Sequence, residues 1–295
     1  MRVINHKQFS RKETVKIRKR SYVKIGSLIM SVVIIITFGI YFWSSKKTSV
    51  TSLANNDKSV NNQVAESDSI VEDKSSKPFK HFTGEEFKNL YYGVAYPNTQ
   101  QITTPISITG NDEADSRIRE FAEERGYKQT SIPQSAIVKI DEPRLDGDDL
   151  LQPLAALGWK SLKEAAEKDN VDLAITSAYR SPQWQRELFN SRLLINGITP
   201  SQVGAGIQDK AVVSTLEQAA VPGYSRHHTG YTVDLWCDDG SGIFVNSSCF
   251  AWLKADNYLK AKESGWIPSY PEGADLQGPE PEPWEYVWVG VDNLK

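Results

Sequence analysis

The sequence predicts an α+β domain, a small antiparallel sheet with flanking helices, preceded by one N-terminal transmembrane helix. Three observations carry that prediction. Ile25–Trp43 is a run of nineteen residues without a charge. Aromatic residues, absent from 44–77, return from Pro78 onward. Beyond that point helix-period and short strand-like segments are interspersed, an α+β pattern.

The N-terminal elements come first. Residues 1–24 hold nine Lys/Arg and one Glu, a basic segment expected to stay in the cytoplasm. The apolar run 25–43 spans roughly 28 Å as a helix, close to the hydrocarbon thickness of a bilayer. Tyr41 and Trp43 fall where an interfacial aromatic belt would lie. The run is longer than the apolar region of a signal peptide, and no small-x-small cleavage site follows it, so an uncleaved anchor is expected. Residues 44–77 are rich in Ser, Asn, Asp and Lys and read as a disordered linker. The domain at 78–295 is therefore expected outside the cell membrane of a single-pass protein.

Composition limits the partners. The net charge of −3 hides an asymmetry, because the residues after 24 carry 25 basic and 36 acidic side chains. Such a balance excludes bulk nucleic-acid binding and leaves the membrane as partner of the basic segment. The two cysteines, Cys237 and Cys249, are compatible with a disulfide outside the cytoplasm or with two free thiols.

Within the domain, Asp115–Arg125 reads as an amphipathic helix stopped by Gly126. Residues 150–169 read as a second helix and Val171–Thr176 as a strand. Ser181 is a good N-cap and Pro182 a good first helical residue for a helix over about 182–194. Tyr231–Trp236 and Glu285–Val291 read as further strands, and Trp252–Glu263 as a helix ending before Gly265.

Three stretches can carry chemistry. In 223–236, GYSRHHTGYTVDLW, half of the four histidines stand side by side. Gly230 allows a tight turn that brings His227 and Asp234 toward one point. A carboxylate at Asp234, among apolar neighbours in a strand, is costly to bury unless paired or metal-bound. A surface histidine pair and a helix-capping aspartate are the plainer alternatives. In Ser177–Gln185, Arg180 sits where a strand end meets a helix N-terminus, a natural anion site, though a surface ion pair would look the same. In 282–290, EPWEYVWVG, Pro283 interrupts strand geometry, so Glu282 and Glu285 need not face opposite ways. A carboxylate with a raised pKa there would serve as a general base, whereas an edge strand with solvated acids is the alternative.

Taken in order, the three stretches resemble the VanY-type D-alanyl-D-alanine carboxypeptidases, zinc peptidases related to lysostaphin-like peptidases and to the hedgehog signalling domain. The motifs stand as Ser177-Ala-Tyr-Arg180-Ser-Pro-Gln-Trp-Gln185, Ser225-Arg-His227-His-Thr-Gly230-Tyr-Thr232-Val-Asp234 and Glu282-Pro-Trp284-Glu285. The resemblance covers roughly 115–291 and implies a hedgehog/DD-peptidase-like fold. It implies His227 and Asp234 as zinc ligands, Glu282 as general base toward the attacking water, and Arg180 as the group facing developing negative charge. Ser177, Gln185 and Ser225 would hold the terminal groups of the substrate, a peptidoglycan stem peptide losing a terminal D-alanine. His228 falls on a variable position and is read as a supporting or rim residue.

Two positions depart from the family pattern. The third zinc ligand is a histidine in the family and Glu285 here; the arginine two places on is Val287. Zinc accepts carboxylate oxygen at about 2.0–2.2 Å, so Glu285 is read as the third ligand. A His, Asp, Glu set is one charge more negative than His, Asp, His, and harder ligands admit manganese or another divalent ion. These departures keep open a catalytically inactive cell-wall-binding homologue. A peptidoglycan endopeptidase and, by fold kinship alone, a signalling ectodomain are further alternatives. D,D- and L,D-specificity are not separated by the sequence.

Overall fold

The computed structural model describes residues 78–142, 149–195 and 197–295. The basic segment, membrane helix and linker expected over 1–77 lie outside the described residues. Among the described residues no helix is long and apolar enough to cross a membrane.

The chain enters through α1 (Gly84–Gly93), started by a capping box in which Thr83 and Glu86 satisfy each other's backbone N–H groups. Strand β1 (Thr99–Gln101) follows, then α2 (Asp112–Glu124). Helix α2 starts three residues before the expected Asp115, because Asn111 caps it by accepting from the Ala114 N–H. Asp115 is free to turn inward, where it accepts from the N–H groups of Ile108 and Thr109 at 2.8 and 2.7 Å. Strand β2 (Ser131–Pro133) pairs antiparallel with β1, and β3 (Val138–Lys139) with β4 (Leu150–Leu151).

Helix α3 (Pro153–Lys168) corrects the expectation of a helix from 150. Leu150 and Leu151 belong to β4, and the helix waits for Pro153, whose missing N–H and fixed φ suit its first turn. Strand β5 (Leu173–Ser177) leads into α4 (Pro182–Ile195), capped as expected by Ser181, whose Oγ accepts from the Trp184 N–H at 3.1 Å. Helices α5 (Pro200–Gly204) and α6 (Asp209–Gln218) precede a 3-10 turn at Arg226–Thr229 and strand β6 (Thr232–Cys237).

Helix α7 (Ser248–Glu263) begins four residues before the expected Trp252, capped by Ser247. It is also interrupted: Asp256, Asn257 and Tyr258 all take positive φ. Asn257 tolerates that conformation and uses it, gripping Phe82 through both the N–H and the carbonyl at 2.9 and 2.8 Å. Cys237 and Cys249 form a disulfide that ties the end of β6 to the start of α7. Strands β7 (Trp266–Pro268) and β8 (Glu285–Trp288) complete the fold.

The main sheet has the order β5-β6-β8-β7, antiparallel throughout. One core packs Leu162 of α3 and Leu253 of α7 against Ile175, Val233, Leu235, Ile267 and Val287 of this sheet. A second, helical core joins Ile118, Phe189, Val212 and Leu216 from α2, α4 and α6. The fold thus has the α+β class and antiparallel sheet that the segment pattern predicts.

Candidate metal centre

Cross-strand register assembles the centre. In the main sheet Ser177 of β5 lies opposite Asp234 of β6, and Asp234 lies opposite Glu285 of β8. A register shift between Ile175 and Ser177 sits beside this row, the kind of irregularity that re-aims a side chain. Strand β8 begins at Glu285 after a turn with Pro283 and Trp284 at its centre, closed by the Glu285 N–H donating to the Glu282 carbonyl at 3.0 Å. The 3-10 turn carrying His227 ends at Gly230, which takes φ 75°. A side chain on Gly230 would press on Gln152 Cγ at 3.2 Å as well as strain the backbone.

This brings together three of the residues singled out from sequence. His227 Nε2 lies 3.4 Å from Asp234 Oδ2 and 3.4 Å from Glu285 Oε2. One ligand-capable atom from each lies within 4.8 Å of the others. The His227 Nδ1 faces the Ala178 carbonyl at 2.6 Å, which places a ring proton there and turns Nε2 toward the two carboxylates. Burial opposes the His227 imidazolium, but the Asp234 charge, helped by Glu285, raises its pKa to about 9. Burial likewise opposes the Asp234 carboxylate, and His227 and Arg180 hold it below its ordinary value.

Around this trio stand the other candidates. Arg180 lies 3.7 Å from Asp234 Oδ2 and donates to Ser177 Oγ at 2.9 Å and Gln185 Oε1 at 3.1 Å. Its guanidinium also stacks on Trp184, 4.9 Å from the ring centre. Gln185 is fully buried and its amide nitrogen donates to the Ala220 carbonyl at 2.6 Å. Ser177 and Gln185 therefore brace Arg180. Ser225 lines a cavity of about 50 Å³ together with Arg180, His227, Tyr270, Glu282 and Glu285. Burial, then the charges of Glu285 and Asp234, push the Glu282 carboxyl up to about 9. A larger hollow of about 660 Å³ lies between β3 and α3 and includes none of these residues.

His228 is not part of the trio. Its Nε2 accepts from the Gly223 N–H at 3.0 Å, and its Nδ1 meets the Arg180 carbonyl at 2.6 Å. Sequence reasoning missed Arg226. This side chain is buried between the rings of Tyr91 and Tyr270, at 4.4 and 4.1 Å from their centres. Its Nη1 lies 3.7 Å from Glu285 Oε1. The partners lie far away in sequence, so no local pattern marks it.

The donor set suits a divalent cation. One imidazole nitrogen and two carboxylates match the ligand types of zinc and of harder divalent ions. Asp234 Oδ1 and Glu285 Oε1 are buried without a hydrogen-bond partner, so hydrogen bonds leave the two carboxylate charges incompletely compensated, and a cation beside their other oxygens would offset them.

Histidine and carboxylate side chains gathered beside a further carboxyl group are the arrangement found in metal-dependent hydrolases as a class. Residues 148–291 match the family described as VanY, D-alanyl-D-alanine carboxypeptidase. The chain is 28% identical over 170 residues to the D-alanyl-D-alanine carboxypeptidase of Enterococcus faecalis (strain ATCC 700802 / V583), covering 56% of this chain and 57% of that protein. It is 28% identical over 155 residues to the bifunctional D-Ala-D-Ala dipeptidase and D-Ala-D-Ala carboxypeptidase VanXYC of Enterococcus gallinarum, covering 50% and 72%. Among solved structures it is similar to the LdcB LD-carboxypeptidase, with 24% identity, TM-score 0.41, and coverage of 52% and 66%. It is also similar to a mutant D,D-pentapeptidase VanY from a VanB-type resistance cassette in complex with Zn(II), with 23% identity, TM-score 0.41, and coverage of 58% and 90%. The chain spans a little over half the length of the Enterococcus faecalis relative. The match to the VanY family description covers a little under half of the chain.

Proposed function

We propose that this protein is a metal-dependent carboxypeptidase that removes the terminal D-alanine from peptidoglycan stem peptides, with zinc as the expected ion. The observation that carries this reading is the convergence of His227, Asp234 and Glu285 beside Glu282 and Arg180. A divalent cation held by the trio would supply Lewis acidity toward a carbonyl and make water a stronger acid.

The side chains would divide the remaining work. A dication held by the trio would offset the negative charges that push the Glu282 carboxyl up, and the ionised Glu282 would then take the proton of the attacking water and return it to the leaving amine. Arg180, braced by Ser177 and Gln185, presents positive charge to the developing oxyanion or to the substrate carboxylate. The cavity of about 50 Å³ that Ser225 lines leaves no room for a large side chain and so favours a small terminal residue. The match to relatives named for D-Ala-D-Ala peptides supports that substrate class.

The test is release of D-alanine from a synthetic stem pentapeptide by the purified chain after zinc or manganese loading. Release that stops on chelation and in Glu282→Gln is the expected result. A metal-loaded chain that binds the peptide without cleaving it would establish instead the cell-wall-binding reading that Glu285, in place of a histidine, keeps open.

We also place the domain outside the cell membrane on an N-terminal anchor, as the basic segment and charge-free run of the sequence suggest. Protease digestion of intact protoplasts should then remove the domain. Protection of the domain would refute that placement.

A further inference from the structure

The buried guanidinium of Arg226 has no role in the reading above, which draws on Arg180 alone. It occupies a built pocket. Tyr91 and Tyr270 stack on it, Nη1 donates to the Ser269 carbonyl, and Nη2 donates to Gln277 Oε1 at 2.9 Å. The side chain is 5% exposed, and that of Glu285, whose Oε1 lies 3.7 Å from Nη1, is 4% exposed. The other carboxylate oxygen, Oε2, is the one turned toward His227 at 3.4 Å. The two oxygens of Glu285 are thus divided between two partners.

We propose that Arg226 is the positioning residue and fixed counter-charge of Glu285: it holds Oε1 so that Oε2 alone is presented to the metal centre. The metal half of this proposal rests on the function proposed above; the pairing half does not. Arg226 also lines the small cavity, but its terminal nitrogens are already engaged by Ser269 and Gln277, so it is offered as a positioning residue and not as a catalytic one.

The charge bookkeeping supports the assignment. The carboxylates of Asp234 and Glu285 bring two negative charges into a largely buried cluster; Arg180 stands 3.7 Å from the first and Arg226 3.7 Å from the second, so each carboxylate has its own guanidinium. Two packed tyrosine rings add the cation–π attraction that makes a buried arginine tolerable. A lysine has no planar fork to reach Ser269, Gln277 and Glu285 together while lying between two rings.

The experiment is a double-mutant cycle on the full chain with two readouts. The first is thermal unfolding after chelation, which needs no metal. Arg226→Met alone should lower Tm on the order of 10 °C, since it strands a buried carboxylate. Arg226→Met with Glu285→Gln should recover most of that loss, and should fold even where Arg226→Met alone does not. Equal losses with and without Glu285, or no rescue of folding, would overturn the pairing.

The second readout is zinc affinity by competition with a chelating dye. Arg226→Met should weaken it roughly 10- to 100-fold, the range for loss of a group that orients a ligand. In a Glu285→His background the same substitution should cause no loss, because the carboxylate it positions is gone. An equal loss in both backgrounds would overturn the positioning role. If the unmutated chain takes up no zinc or manganese, the proposed function fails, while the unfolding cycle still decides the pairing.

Discussion

His227 and His228, adjacent in sequence, reach the same strand–helix junction through the same ring atom and serve different ends. The Nδ1 atoms lie 2.6 Å from the carbonyls of Ala178 and Arg180 respectively. Beyond that point they diverge. His227 Nε2 faces Asp234 and Glu285, whereas His228 Nε2 accepts the Gly223 N–H. One histidine is a ligand candidate, and the other ties the Arg180 backbone to the turn before the second motif.

The two residues should therefore separate under mutation. His227→Gln should abolish zinc uptake with little loss of fold. His228→Gln should retain zinc stoichiometry and lose about 1–3 kcal/mol of stability, the cost of unmaking buried hydrogen bonds. Metal analysis beside urea unfolding distinguishes them. Loss of zinc in both variants would contradict the division.

His228 also sets an acid limit on stability. Burial holds its pKa down to about 4, against 6.5 for an ordinary histidine. The folded ring stays neutral while the unfolded chain takes up protons first as pH falls. Its contribution is complete above pH 6.5 and is lost on the way down to about pH 4, by at most about 3 kcal/mol. His227 acts the other way in the metal-free protein. Its pKa is raised to about 9, so its contribution is complete below pH 6.5 and is lost as pH rises through about 9. Unfolding of chelated protein at pH 7.5 and pH 5, compared with His228→Gln, isolates the first effect. The stability change from pH 7.5 to pH 5 should differ between parent and variant by about 2 kcal/mol, while the opposite contribution of His227 remains in both.

What was legible in the sequence follows from how local each signal is. Ser181-Pro182 announces a helix start by chemistry confined to one turn, and the helix begins there. Helix α3 was misplaced by three residues because leucines at 150 and 151 extend its apolar pattern, although Pro153 marks the true start. The break in α7 depends on Asn257 gripping Phe82, 175 residues away, and no window of sequence contains that contact. Arg226 shows the same limit. Its neighbours Tyr91, Tyr270 and Glu285 come from three separate parts of the chain.

Gly230 tests how tightly the second motif is held. Its φ of 75° and the 3.2 Å approach of Gln152 Cγ leave no comfortable place for a methyl group. Gly230→Ala should cost about 1–2 kcal/mol and shift His227 relative to Asp234. Zinc affinity should fall with stability. Unchanged affinity would show that the turn does not position His227.

Glu282 lines the small cavity beside the trio without belonging to it. Glu282→Gln keeps its size and removes its capacity to take a proton. D-alanine release should drop about 10²- to 10⁴-fold, the usual contribution of a general base, with zinc affinity nearly unchanged. Chelation of the unmutated chain should remove activity and zinc together. A variant as active as the parent would move the proton-transfer role to another group.

Glu285 should leave its mark on which ion is held. Imidazole suits zinc, whereas carboxylate oxygen suits manganese and magnesium as well. A set of one imidazole and two carboxylates should therefore discriminate less between zinc and manganese than a set with two imidazoles. Glu285→His is the direct comparison, made with Arg226→Met so that no buried guanidinium is left without its carboxylate. The ratio of zinc to manganese affinity should rise on the order of tenfold in that double variant. The reverse shift, or none, would mean that Glu285 does not contact the ion, and that its place beside His227 serves the Arg226 pair alone.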